Sequence, residues 1–130
     1  MYKISKTKYG LHIEMGGIYG ENEIEEYIFE KEKLMSELDG PFSLIIDLRT
    51  AIPPKFEDVE LLKDSQSKMN DSKLHKMVII VNSPIIMGQA KQVGFLAGIE
   101  SKTKYINASI IENWEEEALN WVNDDSLAYP

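Results

Sequence analysis

The densest chemistry in the chain is Asp47-Leu48-Arg49, a carboxylate two residues from the sole arginine of the sequence. The apolar run Phe42 to Leu48 (FSLIIDL) leads into it and reads as a buried strand. In open α/β sheets ligands bind outside the carboxyl ends of strands, so this pair is placed to orient a polar group. Arg49 would offer bidentate contact to a carboxylate or phosphate. The plainer alternative is that Asp47 caps a loop or holds Arg49 to order the strand end. Asn82-Ser83-Pro84 is the second candidate. It opens a helix whose free N–H groups suit an anion, although Ser83 is more simply the cap and Pro84 the first helical residue. Successive parallel strands pair often, so Asp47, Arg49 and Ser83 are expected to share one rim that takes a small anionic ligand.

Other residue sets lead less far. His12 and His75 are the only histidines, one on the polar side of a strand and one in a lysine-flanked loop. Neither stands at metal or triad spacing from a carboxylate, so no metal and no cofactor are expected. Gly94 and Gly98 sit four apart on one helical face. Interior glycines cost about 1 kcal/mol each against alanine, so close packing on a sheet or room for a ligand chain must compensate. The acidic stretches Glu21 to Glu32 and Glu112 to Glu117 lack calcium-loop spacing and read as solvated helix faces.

Composition narrows the classes. The chain has 130 residues, enough for a single domain over 1–130, with 43% hydrophobic side chains to build its core. Its 14 basic and 22 acidic side chains give a net charge of −8, against a nucleic-acid binder and against a polybasic membrane module. The same charge disfavours the long-range approach of an anion. There is no cysteine, so thiol nucleophiles and disulfides are excluded. No apolar run reaches the roughly 18 residues of a membrane span, and Met1 to Tyr9 lacks a signal-peptide core. A cytoplasmic protein is the expectation.

The elements that must position these residues follow from periodicity. Tyr2 to Met15 alternates about a polar turn and reads as a hairpin. Asn22 to Leu38 predicts a helix with Asn22 as cap, Glu25 in the capping-box position and the stripe Ile24, Tyr27, Ile28, Met35, Leu38. A helix over Phe56 to Asn70 turns Phe56, Val59, Leu62 and Met69 one way, with Gln66 interrupting and Asn70-Asp71-Ser72 closing it. Met77 to Val81 (MVIIV) is a buried strand. The helix after Ser83 presents Ile86, Ala90, Val93 and Ala97. A strand over Lys104 to Ser109 precedes a last helix, Glu112 to Asn123, burying Trp114, Ala118, Trp121 and Val122. The order β-β-α-β-α-β-α-β-α implies an α/β fold with a mixed, mostly parallel sheet, an N-terminal hairpin and about four helices. Ile45, Ile46, Val78, Ile79, Ile80 and Trp121 should be more than about nine-tenths buried, as two-sided strands need cover. The opening hairpin should hold an edge strand, blunted by Lys3, Lys6 and Lys8, which favours a homodimer.

With IIDLR closing the central strand, MVIIVNS as the next and NWEEEALNWV as terminal helix, the chain resembles the SpoIIAA-like family. That is the branch of STAS domains (sulfate transporter and anti-sigma-factor antagonist) related to the CRAL-TRIO lipid carriers. The resemblance spans essentially the whole chain and implies a bacterial, non-enzymatic interaction or regulatory module of unknown protein partner. Anti-sigma antagonists carry a phosphorylated serine in an Asp-Ser pair beside the central strand. Here that region reads Leu48-Arg49-Thr50-Ala51-Ile52-Pro53-Pro54, with Thr50 its sole hydroxyl, so the phosphorylation switch does not carry over. The second reading is a carrier of a small ligand or lipid; the third is an enzyme using Asp47 and Arg49. A continuous apolar cavity under the third helix favours the carrier, and a dry core the interaction module.

Overall fold

The computed structural model describes residues 1–17, 19–69 and 73–124. In chain order the elements are β1 (Tyr2–Lys6), β2 (Gly10–Gly17), α1 (Glu23–Ser36), β3 (Phe42–Ala51), α2 (Phe56–Met69), β4 (Leu74–Val81) and α3 (Pro84–Ala97). A short 3-10 turn (Glu100–Lys102), β5 (Thr103–Asn107) and α4 (Trp114–Asn123) follow. The strands form one sheet in the order β1-β2-β3-β4-β5, with β1 antiparallel to β2 and the other pairs parallel. This is the α/β architecture that the sequence pattern predicts.

The chain steps across the sheet in one direction, and a helix joins each parallel pair. Crossovers of one hand stepping one way must put their helices on one face. Accordingly Leu44, Ile46, Met77 and Ile79 pack toward Ile24 and Tyr27 of α1 and Ile86 of α3. Alternation sends Ile45, Val78, Ile80 and Ile106 to the other face, against Ala118 and Val122 of α4. Ile45, Ile46, Val78, Ile79 and Ile80 are at most 4% exposed, as expected of strands covered on both sides. No helix among the described residues is long and apolar enough to cross a membrane.

Several local expectations need correction. Trp121 is only partly buried. It lies on α4, over β4 and β5, and its ring faces the ammonium groups of Lys76 at 4.5 Å and Lys104 at 5.8 Å. A ring that serves two cations is not sealed by apolar neighbours. Asn22 does not cap α1 with its side chain; it adopts the left-handed region at φ 62°. Glu23 orders that turn instead, accepting the Gly20 N–H at 2.8 Å and pairing with the N-terminal ammonium at 2.9 Å. Gly98 is not interior to α3 but ends it at φ 77°, a conformation glycine adopts without steric cost. Gly94 does lie inside, where any Cβ would collide with the Tyr105 hydroxyl, so close packing on β5 accounts for it. Phe56, grouped with Val59, Leu62 and Met69 on one face of its helix, is 78% exposed while Met69 is buried. His75 belongs to β4 rather than to a loop. The predicted closing turn Asn70-Asp71-Ser72 lies outside the described residues.

Candidate functional site

The structure brings together two of the three predicted site residues. β3 runs on to Ala51, so Asp47 and Arg49 are alternate residues of one strand and face the same way. Arg49 donates from Nε to both Asp47 oxygens at 3.0 and 3.1 Å and from its terminal nitrogen at 2.9 Å. The Arg49 backbone N–H adds a fourth bond to Asp47 at 3.0 Å. The guanidinium also lies 4.1 Å from the Trp114 ring centroid, tying the strand end to the start of α4. Hydrogen bonding to Asp47 raises the Arg49 pKa; partial burial opposes this, while the charges of Asp47, Glu115 and Glu14 add to it. Carboxylates thus already surround the guanidinium on which an anion would depend.

By register Arg49 is level with Asn82, since Asp47 pairs with Ile80, so Ser83 stands one residue further on, past the end of β4. It nevertheless opens α3, which packs on the opposite face of the sheet. Its hydroxyl accepts from the backbone N–H groups of Ile85 at 3.2 Å and Ile86 at 3.5 Å. Ser83 thus lies at the same end of the sheet as the pair but opens a helix of one face, while the Arg49 side chain meets α4 on the other. His12 Nδ1 lies 4.0 Å from Glu14 Oε1, and the described residues hold no cluster of metal-ligating side chains.

A second feature lies on the other face of the sheet. Beneath α1, α2 and α3 a cavity of about 350 Å³ is floored by Met15, Ile46, Leu48 and Ile79 of the sheet. Ile24 and Tyr27, Val59 and Leu62, and Ile86, Ala90 and Val93 wall it from the three helices in turn. That volume lies within the roughly 300–1,000 Å³ of small-molecule sites. At its margin Ile52, Phe56 and Leu96 are 44%, 78% and 58% exposed, which gives the opening an apolar lip. Lys63 and Glu60 also border it, joined by an ion pair of 2.9 Å.

Each covering helix also contributes a buried polar side chain to this largely apolar lining. Lys31 of α1 is 2% exposed, and Gln66 Oε1 of α2 and Gln89 Oε1 of α3 are buried without a hydrogen-bond partner. Among the described residues no carboxylate forms an ion pair with Lys31; its ammonium lies 5.2 Å from the Tyr27 ring centroid. Burial lowers the Lys31 pKa from 10.5 to about 8, opposed only weakly by the charge of Glu32. The Tyr27 hydroxyl is pushed well above its ordinary value, chiefly by burial and then by Tyr19. On its other side Lys31 borders a hollow of about 380 Å³ between α1 and α2, where Ser65, Lys68, Glu32 and Lys73 make a polar seam.

Sequence reasoning missed Lys31 and Gln89, although a signal was present. Position 31 is seven residues after Ile24 and four after Tyr27, in phase with the apolar stripe of α1. Gln66 interrupts the stripe of α2 in the same way, and Gln89 stands three residues after Ile86. Three helices with a polar residue on the core face mark a place where the core is not closed.

The architecture is thus an open α/β sheet with a ligand-sized cavity under its helical layer. In comparison with protein-family models, curated proteins and solved structures, nothing matches this chain.

Proposed function

We propose that this chain is a non-enzymatic binding module that holds a small, largely apolar molecule beneath α1, α2 and α3. The observation that carries the reading is the apolar cavity of about 350 Å³ under α3, lined in part by unpartnered polar side chains. Protein interiors are close-packed, and their buried polar groups are almost always hydrogen-bonded. A site that departs from both rules at once is best explained by an occupant that fills the space and meets those groups. The test is binding of linear alcohols from hexanol to dodecanol, followed by calorimetry and by amide shifts of residues such as Ile79 and Val93. Saturable binding with shifts centred on these residues is expected. No binding at any chain length would end the reading.

A STAS-like interaction module is the second reading. Its support is the family resemblance carried by IIDLR, MVIIVNS and NWEEEALNWV, together with exposed apolar side chains at Phe29, Phe95 and Ile110 (73%, 66% and 76%). Within it, a cytoplasmic homodimer pairing along β1, an outer strand of the sheet, is the proposed assembly. Light scattering that gives a clean monomer mass at tens of micromolar would remove the dimer from this proposal.

A further inference from the structure

We infer that Lys31 anchors the head group of the ligand and that the ligand is a monoanionic amphiphile, a carboxylate on an apolar chain. The inference rests on the cavity reading above and adds the chemical class of its occupant. Buried ammonium groups are ordinarily paired, because removal from water is costly without a counter-charge. Lys31 is 2% exposed, has no carboxylate in ion-pair contact among the described residues, and lies 5.2 Å from the Tyr27 ring centroid. Its weakened hold on a proton is the consequence, and an anion beside it would reverse that effect.

The surroundings set the shape and charge of the ligand. Away from Lys31 toward the sheet the lining is apolar, with Ile46, Leu48 and Ile79 as floor. On the other side of Lys31 lies the polar seam of Ser65, Lys68 and Glu32, the last two 3.8 Å apart as an ion pair. One buried cation beside a largely apolar lining suits a molecule with one polar end. Lys63 and Glu60 cancel one another at the cavity wall, which leaves Lys31 as its unbalanced charge. One positive charge matches a carboxylate; a phosphate monoester, near two negative charges at neutral pH, would be left half unneutralised. Gln66 and Gln89 present amides that either donate or accept after a half-turn, and both border the cavity that the ligand would fill.

The experiment titrates the full chain with decanoate and with decanol at pH 7 by calorimetry, and repeats both on Lys31→Met. Methionine keeps most of the stem while removing the charge, and thermal melts report whether the variant folds. A charge-assisted hydrogen bond should favour decanoate over decanol by about ten- to a hundredfold in the wild type. That ratio should fall to about one in Lys31→Met. Because the bound anion keeps Lys31 protonated, decanoate binding at pH 9 should be accompanied by uptake of a proton onto Lys31, read from buffers of different ionisation enthalpy, and decanol binding should not. The groups facing Lys31 are Tyr27 and Glu32 of α1 and Lys68 of α2. Tyr27 stays neutral at that pH, because burial pushes its hydroxyl well above the ordinary range. Decanol binding as tightly as decanoate, or a decanoate preference that survives Lys31→Met, overturns the inference and leaves the cavity reading standing. Failure of both probes to bind removes the cavity reading and the inference together.

Discussion

Two lysines are withdrawn from water in this protein, one on each side of the sheet, and their surroundings differ. Lys76 on β4 is 1% exposed, yet its ammonium lies 3.5 Å from Asp124 and 4.5 Å from the Trp121 ring. Lys31 on α1 is 2% exposed and has an aromatic neighbour but no carboxylate in ion-pair contact among the described residues. The same contrast extends to the faces. On the α4 side the charged groups are matched, Arg49 with Asp47 and Trp114, Lys76 with Asp124 and Trp121. Buried polar atoms without a partner occur on both faces, Glu117 Oε2 and Trp121 Nε1 on α4 and Gln66 Oε1 and Gln89 Oε1 opposite, but on the side of α1, α2 and α3 they line a cavity. One face has the economy of a scaffold; the other has the incompleteness of a binding site.

The sharpest way to break that comparison is to shorten a neighbouring pair of core residues. Ile79 and Ile80 are both 1% exposed, but alternation sends Ile79 to the cavity and Ile80 to the closed core under α4. Ile80→Ala should cost about 3–5 kcal/mol, the loss of transfer energy plus the new void. Ile79 already borders empty space and has fewer contacts to lose, so Ile79→Ala should cost about 2–3 kcal/mol. It should also shift the alcohol preference toward longer chains. Urea unfolding of both variants measures the difference, and equal costs would mean that the cavity face is as tightly packed as the other.

Next in size are the lysines themselves, where the comparison predicts opposite signs. The fall of the Lys31 pKa from 10.5 to about 8 corresponds to about 3 kcal/mol against the charged form in the ligand-free protein. Lys31→Met should therefore stabilise the ligand-free chain at pH 7 by up to about 3 kcal/mol. Lys76→Met should instead lower stability by about 1 kcal/mol, the worth of a cation–π contact and a half-exposed ion pair. Between pH 8 and 10.5 Lys31 binds fewer protons folded than unfolded, so wild-type stability should rise with pH over that window. The rise is best followed from pH 8 to 10, below the ionisation of unfolded tyrosines, and should be absent from Lys31→Met. A flat wild-type profile would show that Lys31 has a partner after all.

How much of this was legible in the sequence depends on which interactions carry each feature. Element order was legible because strand and helix periods are local, and MVIIV or FSLIIDL can hardly be read otherwise. The Asp47–Arg49 pair was legible for the same reason: residues two apart on one strand share a face whatever surrounds them. Ser83 was correctly read as a cap, which is also local. Its expected meeting with Arg49 was not local, because it depends on which side of the sheet the next crossover returns. The cavity was the least legible feature. It arises from the distance at which three helices settle above a sheet, and no single helix encodes that distance. Its trace was the polar residue in each apolar stripe, Lys31, Gln66 and Gln89, and only Gln66 stood out as an interruption.

The α4 face makes its own, smaller prediction. Arg49→Ala removes the bonds to Asp47 and the stacking on Trp114, and leaves a carboxylate residue 7% exposed without its counter-charge. The Arg49 side chain is 41% exposed, so solvent already screens its charge, and the expected cost is about 1–2 kcal/mol. Decanoate binding should be unchanged. A loss of ligand binding without loss of stability would restore Arg49 to the role that the sequence suggested.

The smallest effect concerns Ser83 and decides what that residue is for. Its hydroxyl satisfies two of the N–H groups left free at the start of α3, at 3.2 and 3.5 Å. Typical cap deletions cost about 1 kcal/mol, and bonds this long place Ser83→Ala in the lower part of the range, about 0.5–1 kcal/mol. Pro84 already fixes the first helical residue and limits the fraying that follows. The loss should appear in urea unfolding, while titration with inorganic phosphate or decanoate should give the same isotherm as the wild type. The opposite pattern, unchanged stability with weakened phosphate binding, would make the α3 N-terminus a ligand site. It would then be the strand ends, not the cavity, that set this protein's chemistry.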